Sequence, residues 1–338
     1  MISSETWTWL DSPPFRATPL DFKAEGDIHF LEGINQLVGH GWPYSPPEVG
    51  EPGWCFYAAA ALNQHNPWWL VMPEVTLYLQ RASFMLRQGQ PVNDIAIYVP
   101  TDDAWARFSL GKVSVSEEVD ALLGPNLIAR LLEAGYGFDF IDDGAINQLA
   151  QFDDGALVVG GNSYRIVLLP GVLSVPVATL KKLAEFVRRG GILVATRRPP
   201  VLSPGLLDQD AKNHEVREMS RQLFQGSAPS AHLIGDESSE LAKTLRGLRP
   251  ADVSLTPPAP EIGFVHRRTG WAEIYILANT GNQTRTARAT FRTQGMQPRI
   301  LGSDLRQGSP RRGAGAFHIN NDRRPEPPGL RVAVSGLF

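Results

Sequence analysis

The chain has 338 residues, 43% hydrophobic and 20% charged, with a formal net charge of -3; this balance excludes a disordered, collagen-like or membrane-embedded chain and leaves room for about two or three domains. The near-neutral sum hides an asymmetry, because residues 260–338 hold 12 Arg, no Lys and five acids, leaving 20 basic against 30 acidic residues before them. Without a recognition helix or interleaved aromatics this basic tail does not read as a nucleic-acid site, and one cysteine, Cys55, excludes an intramolecular disulfide framework and a multi-cysteine metal centre.

The first residues carry neither the basic nor the apolar region of a signal peptide, and no stretch approaches the roughly 18 apolar residues of a membrane helix. No membrane partner is expected, and localisation stays open. Residues 1–92 are dense in aromatics: seven of the eight tryptophans fall before residue 106. Residues 18–33 read as a helix, with Leu20, Ala24, Ile28 and Leu31 at helical spacing, followed by a strand at 34–40. Beyond a Pro/Gly-rich loop at 41–53, residues 56–66 and 73–88 read as two further helices, the second carrying Val75, Leu79, Ala82 and Leu86 on one stripe and closing at Gly89.

From Asn93 the pattern restarts with the apolar run 95–99, a helix near 125–135, a strand at 138–141, a hairpin within 151–161 and a strand at 164–170. A helix at 177–188 ends at Gly190-Gly191 and feeds a strand at 192–195. Continuous apolar strands separated by amphipathic helices imply a parallel sheet covered on both faces, so residues 93–248 read as a flavodoxin-like, doubly wound α/β domain. The stiff Thr256-Pro257-Pro258-Ala259-Pro260 connector then leads into alternating strands near 262–265, 272–278 and 286–292, read as a small antiparallel β-sandwich over 260–338.

The doubly wound domain lacks G-x-G-x-x-G and P-loop patterns, and the only cysteine lies outside it, so no nucleotide cradle or cysteine nucleophile is expected there. Its acid pairs, Asp102-Asp103, Asp142-Asp143 and Asp153-Asp154, suit a cation or, more commonly, helix caps and turns. The first segment differs. It gathers Glu5, Trp7, Trp9, His40, Trp42, Tyr44, Trp54, Trp68 and Trp69 in under a third of the chain. Aromatic faces stack on the C–H faces of a pyranose, and carboxylates do acid/base work at glycosidic bonds. Each tryptophan also has a core-packing reading, as His40 has that of a satisfied core imidazole.

The strings Ser4-Glu5-Thr6-Trp7-Thr8-Trp9, Gly33-Ile34-Asn35-Gln36-Leu37-Val38-Gly39-His40-Gly41-Trp42-Pro43-Tyr44-Ser45, Pro52-Gly53-Trp54, Asn66-Pro67-Trp68-Trp69 and Tyr78-Leu79-Gln80-Arg81-Ala82-Ser83 resemble, in order and spacing, the end of the catalytic barrel of glycoside hydrolase family 106, the α-L-rhamnosidases and their bacterial relatives. Tyr164-Arg165-Ile166-Val167-Leu168-Leu169-Pro170 resembles the amidotransferase-like domain that follows this barrel, and Ile274-Tyr275-Ile276-Leu277-Ala278-Asn279 the ensuing sandwich. The resemblance implies that residues 1–92 are the last units of a (β/α)8 barrel, with active-site loops at the strand C-termini. It also implies inverting hydrolysis of terminal α-L-rhamnosyl or related bonds by two carboxylates, with calcium associated with the site and members often exported or periplasmic. On this reading Glu5 is the general base, and His40, Trp7, Trp42 and Tyr44 bind the carbohydrate. The acid lies on an earlier strand outside this sequence, so the isolated chain is expected to be inactive unless another chain supplies the missing barrel. A non-catalytic assembly or carbohydrate-contacting module is the alternative.

Overall fold

The computed structural model describes residues 1–293 apart from 11, 59 and 227, together with the backbone of the strands Arg299–Gly302 and Arg331–Ser335. The described residues pack into two compact units: residues 1–91 with 255–289, 293 and the strands Arg299–Gly302 and Arg331–Ser335, and residues 92–254 with 290–292. No described helix is long and apolar enough to cross a membrane.

The first unit opens with a β-α-β element: β1 (Ser3–Thr6), α1 (Pro19–Leu31) and β2 (Gln36–Gly39), with β1 and β2 paired in parallel. Helix α1 starts where its sequence dictates. Thr18 accepts from the Asp21 amide while the Asp21 carboxylate takes the Thr18 amide, and Pro19 fills the first turn, where no amide donor is needed. Helix α2 (Met72–Leu86) follows, and Phe22, Phe30, Met72, Leu79 and Leu86 form a shared core. Residues 56–66 do not form the expected helix. The Gly41 amide donates to the Ala60 carbonyl, Leu62 donates to the Gly41 carbonyl, and the Asn63 and Asn66 amides cap the carbonyls of Pro43 and Ala61. Asparagine side chains here take backbone partners that a helix would have used.

Residues 260–289, expected as part of a separate sandwich, lie in this same unit. Strand β3 (Gln90–Pro91) pairs with Ile262–Arg268, and the Arg267 guanidinium donates to the carbonyls of Gln88 and Gly89. Gly89, at φ 58°, is required by the approach itself: a Cβ there would sit 1.9 Å from the Arg268 carbonyl oxygen. Ile262–Arg268 and Glu273–Asn279 form an antiparallel hairpin, but Glu273–Asn279 pairs in parallel with Arg331–Ser335, and that strand in parallel with Arg299–Gly302. The sheet is therefore mixed where an antiparallel sandwich was expected. At its centre the buried His266 and Glu273 are 2.7 Å apart, with the imidazole stacked on Tyr275.

The second unit is a five-stranded parallel sheet of β4 (Ile95–Tyr98), β5 (Phe138–Ile141), β9 (Ile166–Pro170), β10 (Ile192–Thr196) and β11 (Ala231–Ile234). Its spatial order is β5-β4-β9-β10-β11, the 2-1-3-4-5 order of doubly wound sheets. Successive residues feed opposite cores: Ile95 and Ile97 face Leu127 and Leu131 of α4 (Val115–Glu133), which follows the short α3 (Thr101–Ala106), and Leu241 and Leu245 of α7 (Glu237–Leu248). Ala96 and Tyr98 face Leu183 and Phe186 of α5 (Val177–Arg188) and Val216 of α6 (Gln209–Phe224). Between β5 and β9, three short strands, β6 (Gln151–Asp153), β7 (Ala156–Val159) and β8 (Asn162–Tyr164), make the expected hairpin and one strand more.

Candidate functional site

Because β1 and β2 run parallel, the loops after both leave from the same end of the pair. Glu5 stands opposite Val38 in register, and the His40 amide donates to the Thr6 carbonyl at 3.0 Å, extending the ladder by one residue. The strands thus bring Glu5 and His40 together, and a third side chain joins them. The Thr8 Oγ1 lies 2.9 Å from Glu5 Oε1 and 3.2 Å from His40 Nδ1. The imidazole face stacks on Phe56, with ring centroids 5.2 Å apart and planes 11° apart, and Tyr57 lies beside it.

Trp7 does not line this site. It is 5% exposed, its ring packs on Phe22, and its indole N–H donates to the Phe22 carbonyl at 3.2 Å. The side chain faces the core and leaves no face for a sugar, which corrects its expected binding role. Gly39 makes this packing feasible, since a Cβ there would meet the Trp7 ring at 2.8 Å. Trp7 also has φ 69°, a left-handed conformation uncommon for a non-glycine residue. Glu25 pins it: one carboxylate oxygen accepts from the Trp7 amide at 2.9 Å and from the Thr6 hydroxyl at 3.2 Å.

Trp42 and Tyr44 have the opposite character, at 58% and 70% exposed. Trp42 stands edge-on to Trp69, with centroids 5.4 Å apart. The loop carrying them is stitched by the Trp54 amide donating to Ser45 Oγ at 2.8 Å and by His65 against Glu51 at 2.7 Å. Sequence reasoning missed three participants. Thr8, Phe56 and Glu25 all act on the Glu5–His40 pair or on the turn beside it; Thr8 alone stood inside a string already singled out.

Each acid pair of the second unit contributes at least one tether. Asp103 accepts from the amides of Leu173 and Ser174, and Asp142 caps the Ala145 amide. Asp143 takes the Tyr98 phenol at 2.9 Å and the Thr179 hydroxyl at 2.5 Å. Burial, reinforced by Asp143, pushes the Tyr98 phenol well above its ordinary range, and burial with Asp143 and Asp103 raises Asp102. Asp154 pairs with Arg165 at 2.9 Å. Among the described residues no three His, Cys, Asp or Glu side chains converge as a cation would require.

The chain matches the family described as alpha-L-rhamnosidase (Glyco_hydro_106) over residues 1–309. A curated Formosa agariphila protein, named provisionally a β-glucuronidase, is 25% identical over 303 residues, covering 89% of this chain and 24% of that protein. A solved rhamnosidase from Novosphingobium sp. PP1Y superposes with a TM-score of 0.64 at 23% identity, over 88% of this chain and 27% of that one. A GH42 β-galactosidase of G. stearothermophilus superposes with a TM-score of 0.51 at 12% identity, over 83% and 48%. The chain thus spans about a quarter of the length of the curated protein and of the rhamnosidase it matches.

Proposed function

This chain belongs to the α-L-rhamnosidase family of glycoside hydrolases, and from that premise we propose that residues 1–91 supply the last units of a (β/α)8 barrel in an inverting rhamnosidase-like glycosidase, with Glu5 as its general base. The observation that carries the reading is the delivery of Glu5 and His40 to one end of two adjacent parallel strands, bridged by one hydroxyl. That end is where barrel enzymes place their chemistry.

Glu5 Oε1 is engaged by Thr8, and the other oxygen takes a proton from the water that attacks the anomeric carbon. A carboxylic acid on another strand, about 6.5–9.5 Å away across the bond, protonates the departing oxygen, and the configuration inverts. His40 binds a sugar hydroxyl. Trp42 and Tyr44 offer exposed faces for the C–H face of the ring. The acid comes from a part of the barrel that this chain does not hold, whether from a longer chain or from a partner.

A second reading, a carbohydrate-contacting module without turnover, rests on the fact that two strands cannot close a barrel. An aryl α-L-rhamnoside assay separates the two. The 338-residue chain alone should show no turnover, with or without calcium, while a protein extended by a homologous upstream barrel should hydrolyse the substrate with inversion. Binding without hydrolysis by the extended protein favours the module.

A further inference from the structure

We infer that Thr8 is a positioning residue that fixes both the orientation of Glu5 and the tautomer of His40, so that neutral His40 carries its proton on Nδ1 and presents Nε2 as an acceptor. The inference rests on the proposed role of Glu5 for its meaning, but not for its geometry.

The argument is one of hydrogen-bond inventory. A threonine hydroxyl has one proton and two lone pairs, while an ionised carboxylate can only accept. Thr8 Oγ1 lies 2.9 Å from Glu5 Oε1, so its single proton goes there. Toward His40 Nδ1, at 3.2 Å, the same oxygen is left with lone pairs alone, and Nδ1 must be the donor. The ring's neutral form then keeps its lone pair on Nε2, since the partner of one ring nitrogen sets the state of the other. The chain of donors runs from His40 through Thr8 to Glu5. Phe56, stacked on the imidazole, holds the ring plane against rotation out of it.

Backbone geometry explains why Thr8 can reach. In a regular strand side chains alternate between faces, so Glu5 and Thr8, three apart, would point to opposite sides. The left-handed turn at Trp7 breaks that alternation and brings the Thr8 side chain to Glu5. Glu25 accepts the Trp7 amide and thereby holds the turn from α1. With Oε1 already accepting from Thr8, Oε2 is the freer of the two carboxylate oxygens to take a proton. Neutral His40 accepts a hydrogen bond from a ligand hydroxyl at Nε2 and does not donate one there.

The test is a long-range ¹H–¹⁵N spectrum of the ¹⁵N-histidine-labelled 338-residue chain, recorded above the imidazole titration. The expected result is a protonated Nδ1 and a lone-pair Nε2 for His40 in the unaltered chain and in Thr8→Ser. In Thr8→Val, which keeps the shape and loses the hydroxyl, the Nδ1–H form should lose its dominance. An Nε2–H tautomer in the unaltered chain overturns the inference, even should the valine variant fail to fold. An unchanged tautomer in a folded Thr8→Val also overturns it. Neither readout depends on catalysis. Failure of the barrel-extended protein to hydrolyse the rhamnoside, while the Nδ1–H form is seen, removes the proposed function and leaves the positioning intact; the reverse outcome removes only the positioning.

Discussion

The two parallel sheets of this molecule differ in how much of themselves they cover. In the second unit, residues 166–169 of the central strand β9 are fully buried, and helices line both faces. In the first unit β1 and β2 pair with no third strand among the described residues, and Ile2 and Val38 stand 58% and 52% exposed. Parallel strands are found almost only in sheets buried on both faces. The covered sheet is a scaffold complete in itself. The uncovered pair carries Glu5 and His40, to which the proposed function assigns the base and a sugar ligand.

The comparison breaks first at the cores. Leu168→Ala in β9, a fully buried site, should lower stability by about 4 kcal/mol in denaturant unfolding of the second unit. Trp7→Ala should cost the first unit about 3 kcal/mol, because its ring is core; a loss near zero would return Trp7 to the exposed aromatic surface. A charge sharpens it next. Burial alone would raise the Glu273 carboxyl, but hydrogen bonds from His266 and Arg268 outweigh it and hold the group below its ordinary range. Its contribution to stability is therefore present above the unfolded carboxyl value and lost as pH falls through the lower, folded one. Glu273→Ala should cost roughly 3 kcal/mol near neutrality by leaving His266 and Arg268 without their carboxylate, and thermal unfolding from pH 7 to pH 3 should fall less steeply in the variant. The smallest effects fall on the exposed side: Trp42→Ala and Val38→Ala should each change stability by less than about 0.5 kcal/mol in this chain. Trp42→Ala should nonetheless weaken rhamnoside binding once the barrel is complete.

The same contrast explains how far the residues alone could be read. Strands such as 95–98 and 192–196 must feed apolar side chains to both faces, so their runs are uninterrupted and bounded by helices with a clear stripe. That signal is local. The course of residues 56–66 is set instead by bonds from Asn63 and Asn66 to carbonyls of Pro43 and Ala61, partners that helical periodicity does not register. Trp7 turns inward because a single left-handed residue, pinned by Glu25 from 18 positions away, reverses the alternation. That Glu5 and His40 fall at one end of neighbouring strands was readable from their strings, while the Thr8 bridge depends on that reversed turn. The mixed pairing of the later strands likewise depends on non-local partners.

The central claim, that Glu5 activates the water, is tested most directly by the hydrolysis rate of an aryl α-L-rhamnoside in the protein carrying its complete barrel, before and after Glu5→Gln. Glutamine keeps the side chain's length and can still accept from Thr8, but it cannot take a proton. The account predicts a fall in kcat of about 10²–10⁴-fold with little change in KM, as removal of a general base requires. A Glu5→Gln protein that keeps its kcat within about threefold, while rhamnoside hydrolysis persists, would contradict it.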